Sequence, residues 1–140
     1  MDRRTFIRSA CQACAALAVV PAVATLEGCA SGKGTSYSVN DGALAIPLAG
    51  LTPGVNIIRA KGLDHTLLLD KRSDGTIVAL ALNCPHKNGP VKFKDGEGLK
   101  CEWHGSTFDG DGKVTKGPSK QDLKRYPTTV EGDMLRVNVG

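Results

Sequence analysis

Two short clusters, Cys84-Pro85-His86 and Cys101-Glu102-Trp103-His104, constrain this 140-residue chain more than anything else in it. Each pairs a thiol with an imidazole, and fourteen residues, 87–100, lie between them. A fold that uses all four side chains must bring two separate turns to one place. Two Cys and two His can hold a tetrahedral zinc ion, or a two-iron, two-sulfide cluster in which two His replace two Cys on one iron. Zinc would make the chain a structural module; the cluster would make it an electron carrier. Structural zinc sites usually draw a Cys pair from one short segment and a His pair from another. Here Cys and His alternate, so each turn supplies one of each. That order suits two adjacent metals, both Cys on one and both His on the other.

The residues downstream extend the pattern. His104 is followed by Gly105-Ser106-Thr107-Phe108-Asp109-Gly110, then Gly112-Lys113-Val114, then Lys116-Gly117-Pro118-Ser119. Together with the two ligand pairs, this run resembles the Rieske iron–sulfur family over about Thr66 to Val139. The resemblance implies one 2Fe–2S cluster per chain. It would put Cys84 and Cys101 on the buried iron and His86 and His104 on the outer iron, nearest solvent. Ser106 matches the position whose hydroxyl donates to a bridging sulfide. Gly117-Pro118-Ser119 matches a proline loop that shields the cluster's third side, and Phe108 and Trp103 are expected to be apolar cover.

Departures from the family pattern narrow the type. Quinol-oxidising members carry one further Cys in each loop, joined as a disulfide; Gly89 and Trp103 stand at those positions, so this covalent clamp is missing, as in ferredoxin-type and oxygenase-type domains. Phe108 stands where high-potential members place a Tyr. Hydrogen bonds to cluster sulfurs raise the potential by stabilising the reduced state. With one of two side-chain donors, the expected potential lies in the lower or middle part of the Rieske span of roughly −150 to +300 mV.

Residues 1–28 read as a signal rather than as part of the domain. Asp2-Arg3-Arg4-Thr5-Phe6-Ile7-Arg8 resembles a twin-arginine export signal, and Ala10 to Ala24 is a small-residue apolar stretch interrupted by Pro21. Such export carries folded cargo, which a cluster loaded before export requires. Leu26-Glu27-Gly28-Cys29 resembles a lipobox, so Cys29 is the expected lipidation site. Of five Cys, Cys11 and Cys14 would leave with the signal and Cys84 and Cys101 would bind iron, which leaves Cys29 for acylation. Two acyl chains supply stable anchoring. The rival is an uncleaved signal whose residues 9–26, about eighteen apolar or small positions, span the membrane. Residues 29–40, small and polar, read as a flexible tether. The domain is then 41–140.

That domain reads as all-β. No segment has a helical period, and short apolar or alternating runs recur between turn signals. Strands are expected at Ala43–Leu48, Val55–Arg59, Thr66–Asp70, Thr76–Leu82, Leu99–Cys101, Lys113–Thr115, Arg125–Val130 and Met134–Val139. The family resemblance implies a small sandwich or barrel base, made from the chain's two ends, with a cluster-binding β subdomain inserted in it. About 100 ordered residues form a modest core, so the metal should stabilise its own loops.

Composition bounds the function. Beyond His86 and His104 the only histidine is His65, read as a loop or packing residue. A complete Rieske oxygenase needs a second iron held by two His and a carboxylate, and this chain cannot supply it. Beyond residue 28 there are 15 basic and 12 acidic residues, a net of +3, and residues 84–125 carry the same excess. Lys87, Lys92, Lys94, Lys100, Lys113 and Lys116 suit either an acidic redox partner docking at the His86/His104 face or an ordinary solvated face. The basic residues are not interleaved with aromatics, so nucleic acid is not an expected partner. The reading is an exported, membrane-anchored, periplasmic or extracytoplasmic electron carrier without bond chemistry of its own. The alternatives are a subunit of a quinol:cytochrome c oxidoreductase or arsenite-oxidase-like complex, and a structural zinc module.

Overall fold

The computed structural model describes residues 36–140; the twin-arginine run, the apolar stretch after it and Cys29 lie outside the described residues. Six strands come first: β1 (Tyr37–Asn40), β2 (Ala43–Pro47), β3 (Gly54–Ile58), β4 (Ala60–Lys61), β5 (Leu67–Lys71) and β6 (Ile77–Ala81). Then follow β7 (Val91–Lys94), β8 (Gly98–Cys101), β9 (Thr107–Phe108) and β10 (Val114–Lys116). The chain ends with β11 (Arg125–Tyr126), β12 (Thr128–Glu131) and β13 (Met134–Asn138). Among the described residues the one helical element is a single 3-10 turn at Leu48–Gly50. The protein is all-β, as expected.

The strands form three sheets, in the orders β12-β13-β2-β1-β4, β11-β6-β5-β3 and β10-β9-β8-β7. The first two make a base from both ends of the described chain. The third is built wholly from residues between β6 and β11, which is the inserted subdomain the family resemblance implies.

Strand β6 joins the two parts through the period-2 alternation of a strand. Ile77, Ala79 and Ala81, with Leu67 and Leu69 of β5, enter the base core beside Leu44, Ile46, Leu135 and Val137. Val78 and Leu80, with Leu68 and Leu82, enter a second core shared with Val91, Leu99, Phe108, Leu123 and the thiols of Cys84 and Cys101. That is why Ile77–Leu82 is apolar at every position: the strand is covered on both faces.

Side-chain and backbone contacts tie the subdomain to the base. Arg72 Nη2 donates to Asp111 Oδ1 at 2.8 Å, and Arg125 Nη1 reaches the same oxygen at 3.4 Å. The Leu123 N–H donates to the Gly112 carbonyl at 2.8 Å. Gly112 is left-handed, with φ +83°, and a Cβ there would lie 2.9 Å from Leu80 Cδ2 and 3.2 Å from Leu123 Cβ. Glycine is required at this joint both for conformation and for space.

Two boundaries differ from the sequence expectation. Tyr37–Asn40, expected as the end of the tether, forms β1, antiparallel to β2 and parallel to β4. Tyr37 and Val39 pack against the base core, so the domain begins at Tyr37 rather than at residue 41. The expected strand Arg125–Val130 is cut at Pro127: β11 pairs with β6, whereas β12 pairs with β13. Proline has no N–H to continue a ladder, and the chain changes sheet there.

Candidate metal centre

Each Cys-His pair sits in a turn closed by its own backbone. In the first, between β6 and β7, the Cys84 N–H donates to the Gly89 carbonyl and the Asn88 N–H to the Cys84 carbonyl, both at 2.8 Å. Asn88 is left-handed, with φ +56°, a conformation Asn tolerates. In the second, between β8 and β9, the Cys101 N–H donates to the Ser106 carbonyl at 2.8 Å and the Gly105 N–H to the Cys101 carbonyl at 3.1 Å. The turns are joined by the Glu102 N–H, which donates to the Pro90 carbonyl at 3.0 Å.

This geometry sorts the donors by depth. Cys84 and Cys101 begin their turns at the ends of core strands and are 1% and 2% exposed. His86 is half-buried and His104 exposed. The two imidazoles lie with centroids 4.9 Å apart and planes at 87°. Both cysteines are free thiols. The chain thus brings together all four residues singled out from the sequence, with two sulfurs inside and two ring systems outside.

The protein atoms fit a metal group at this point. His86 Nδ1 is buried and has no hydrogen-bond partner, whereas a buried ring nitrogen normally finds one. A metal bond would account for it. Burial pushes the Cys84 thiol above its ordinary range, and Cys101 alongside adds to this, while the His86 backbone N–H and the Ser106 hydroxyl oppose it. A buried thiolate needs compensating positive charge, which a bound metal supplies. Cys84 and Cys101 lie side by side, and the His86 and His104 rings meet edge to face. The donors form a thiol pair and an imidazole pair, which favours a two-metal cluster over one tetrahedral zinc.

The remaining site residues divide. Ser106 is fully buried, and its oxygen accepts the Ser119 N–H at 2.9 Å, which ties the Gly117-Pro118-Ser119 loop to the site. Its own O–H is left to donate toward sulfur. Phe108 packs in the same core as both cysteines, as expected of apolar cover. Trp103 lies outside that core, 57% exposed, with its indole against Gly89. The six lysines named above are all exposed, and Lys92 pairs with Glu102 at 3.0 Å. His65 lines a cleft with Pro85 and Asn88 of the first turn, and its ring is held between Asp64 (2.5 Å at Nδ1) and the Tyr126 hydroxyl (2.9 Å at Nε2). Gly89 and Asp111 take part in contacts that no local sequence signal announces.

A family model described as Rieske [2Fe-2S] domain matches residues 50–127. The chain is 38% identical over 66 residues to the cytochrome b6-f complex iron-sulfur subunit of Synechococcus sp. (strain JA-3-3Ab), a match covering 45% of this chain and 38% of that protein. It is 26% identical over 97 residues to the toluene-4-sulfonate monooxygenase system iron-sulfur subunit TsaM1 of Comamonas testosteroni, covering 59% of this chain and 28% of the relative. The chain therefore spans well under half the length of these curated relatives. Among solved structures, the plasma membrane Rieske protein PetC3 from Synechocystis PCC 6803 is 30% identical, with a TM-score of 0.47, over 69% of this chain and 85% of that one. A hyperthermophilic respiratory Complex III shares the fold at 24% identity and a TM-score of 0.52, over 65% and 71%.

Proposed function

The chain belongs to the Rieske [2Fe-2S] domain family and binds one 2Fe–2S cluster, and from that premise we propose that it is an exported, membrane-tethered carrier of single electrons between redox proteins. The observation that carries this reading is the layering at one tip: two buried thiols beneath two outward imidazoles, with the His86 Nδ1 buried and unpartnered. Cys84 and Cys101 would hold one iron of the cluster, and His86 and His104 the other. The cluster supplies a one-electron couple. The protein does the rest: Leu82, Leu99 and Phe108 exclude water from the sulfur side, and Ser106 donates a hydrogen bond toward it. His104 presents an exposed edge through which an electron can leave. Lys87 and Lys100, exposed beside these turns, favour an acidic partner docking at the His86/His104 face. Phe108 offers no hydroxyl, so the potential belongs to the lower or middle part of the family's range.

Export and anchoring rest on the Arg3-Arg4 signal and on Cys29 as the acylated residue. A second reading, a subunit of a quinol-oxidising complex, is favoured by the 38% identity with a cytochrome b6-f subunit. Gly89 and Trp103, in place of the two disulfide cysteines of that class, weigh against it.

The test is direct. Full-length protein reduced with dithionite should give the rhombic EPR signal of an imidazole-ligated 2Fe–2S centre, and His86→Ala or His104→Ala should abolish it. A colourless, EPR-silent, zinc-loaded protein would sink the reading. Cell fractionation tests the anchor. Wild type should sediment with membranes and Cys29→Ser should be released; a C29S protein that stays bound would point to the uncleaved apolar segment instead.

A further inference from the structure

Gly89 is buried although Asn88 and Pro90 on either side of it are exposed. What covers it comes from the other turn. A Cβ at Gly89 would lie 3.0 Å from Cys101 Sγ, 3.0 Å from Trp103 Cδ2 and 3.1 Å from Trp103 Cε3. The glycine is thus wedged between a sulfur and an indole that both belong to the second turn. Its φ is outside the left-handed region, so what a side chain would meet here is tight space and not backbone strain.

Burial does not explain Trp103 itself, because more than half of it faces solvent. Its tight contact is with Gly89. Backbone bonds frame that contact on both sides: the Gly89 carbonyl accepts the Cys84 N–H at 2.8 Å, and the Pro90 carbonyl accepts the Glu102 N–H at 3.0 Å. A Trp side chain has two rotatable bonds, so it makes a rigid cover at low entropic cost.

We propose that Trp103 is a positioning residue: its indole, laid across Gly89, packs the two ligand-bearing turns together and fixes the Cys101 sulfur between them. This rests on the reading of Cys101 as an iron ligand. The clamp is non-covalent, and it acts through the glycine, so Gly89 and Trp103 form one device. Loosening either side frees the two turns to separate and lets water reach the sulfur.

The experiment follows the bound cluster in full-length protein with no redox partner present. The readouts are the half-life of the cluster's visible absorption under mild heating and the width of the reduced EPR signal. Trp103→Ala should shorten the half-life about tenfold, about 1.4 kcal/mol at RT ln 10, and broaden the signal. Trp103→Phe should keep it within about twofold, because a phenyl ring still covers Gly89. Gly89→Ala should behave like W103A, since its methyl pushes sulfur and indole apart. Ile57→Ala removes an equally exposed apolar side chain from β3 and should change nothing. A W103A protein that keeps its strands by circular dichroism but cannot be loaded supports the clamp as well. Wild-type lifetime and line width in W103A overturn it, and so does a W103F protein as labile as W103A. A wild-type protein without any 2Fe–2S spectrum would instead overturn the function proposed above, so the two failures are distinct.

Discussion

Ser106→Ala removes one oxygen from a fully buried position and disturbs two neighbours at once. The first is Ser119, 4% exposed, whose N–H loses its acceptor at 2.9 Å. A stranded buried donor costs about 1–3 kcal/mol. In a domain of about 100 residues each kcal/mol is worth about 4–8 °C, so the melting temperature should fall by about 4–24 °C. The second neighbour is sulfur. The hydroxyl opposes the upward shift of the Cys84 thiol, which is how a donor that favours negative charge on sulfur behaves. If that donor favours the reduced state by about 1–2 kcal/mol, part of a charge-assisted hydrogen bond, the potential falls by about 40–90 mV at 59 mV per tenfold for a one-electron couple. Thermal melts and a spectroscopic redox titration measure the two effects separately. Ser106→Thr gives the opposite signature: it keeps the hydroxyl and the potential, but forces a methyl group into filled space and loses stability. A lower melting temperature with an unchanged potential in S106A would refute the argument, because the hydroxyl would then serve Ser119 alone.

Two further outcomes test the joint between subdomain and base. Gly112→Ala should destabilise the protein by roughly 2–4 kcal/mol in denaturant titration, because it combines a left-handed backbone with a 2.9 Å approach to Leu80. The Asp111 carboxyl is held below the usual range by its hydrogen bond to Arg72, with Arg125 adding a smaller pull. A depressed folded pKa adds stability above the unfolded pKa of about 3.9, and that stability is lost as pH falls through the lower folded value. Asp111→Asn should therefore melt earlier than wild type at neutral pH, with the difference vanishing in acid; a pH-independent difference would contradict this.

Much of the site was legible because its donors are local. Each turn carries its own Cys and His, and the alternation of C-x-H with C-x-x-H already implies two thiols on one side and two imidazoles on the other. Strand β6 was equally legible, since Ile77–Leu82 has no polar position to suggest a solvent face. What escaped depends on neighbours distant in sequence. Strands β4 and β9 are two residues each, too short to carry a period, and exist because β1 and β8 pair with them. Strand β7 does alternate, V-K-F-K, but its role is set by pairing with β8. Strand β1 is half Ser and Asn, and only Tyr37 and Val39 mark its buried side. Trp103 was expected as apolar cover, but that its indole lies over Gly89 depends on the path of the other turn.

The start of β1 at Tyr37 has a geometric consequence. If Cys29 carries the acyl chains, residues 30–36 alone connect lipid to fold, and seven residues at full extension reach about 25 Å. A carrier on such a leash does not roam the aqueous space; it patrols a thin layer above the bilayer and meets its partners by lateral diffusion. Those partners must then expose their redox centres within that layer, or come down to it.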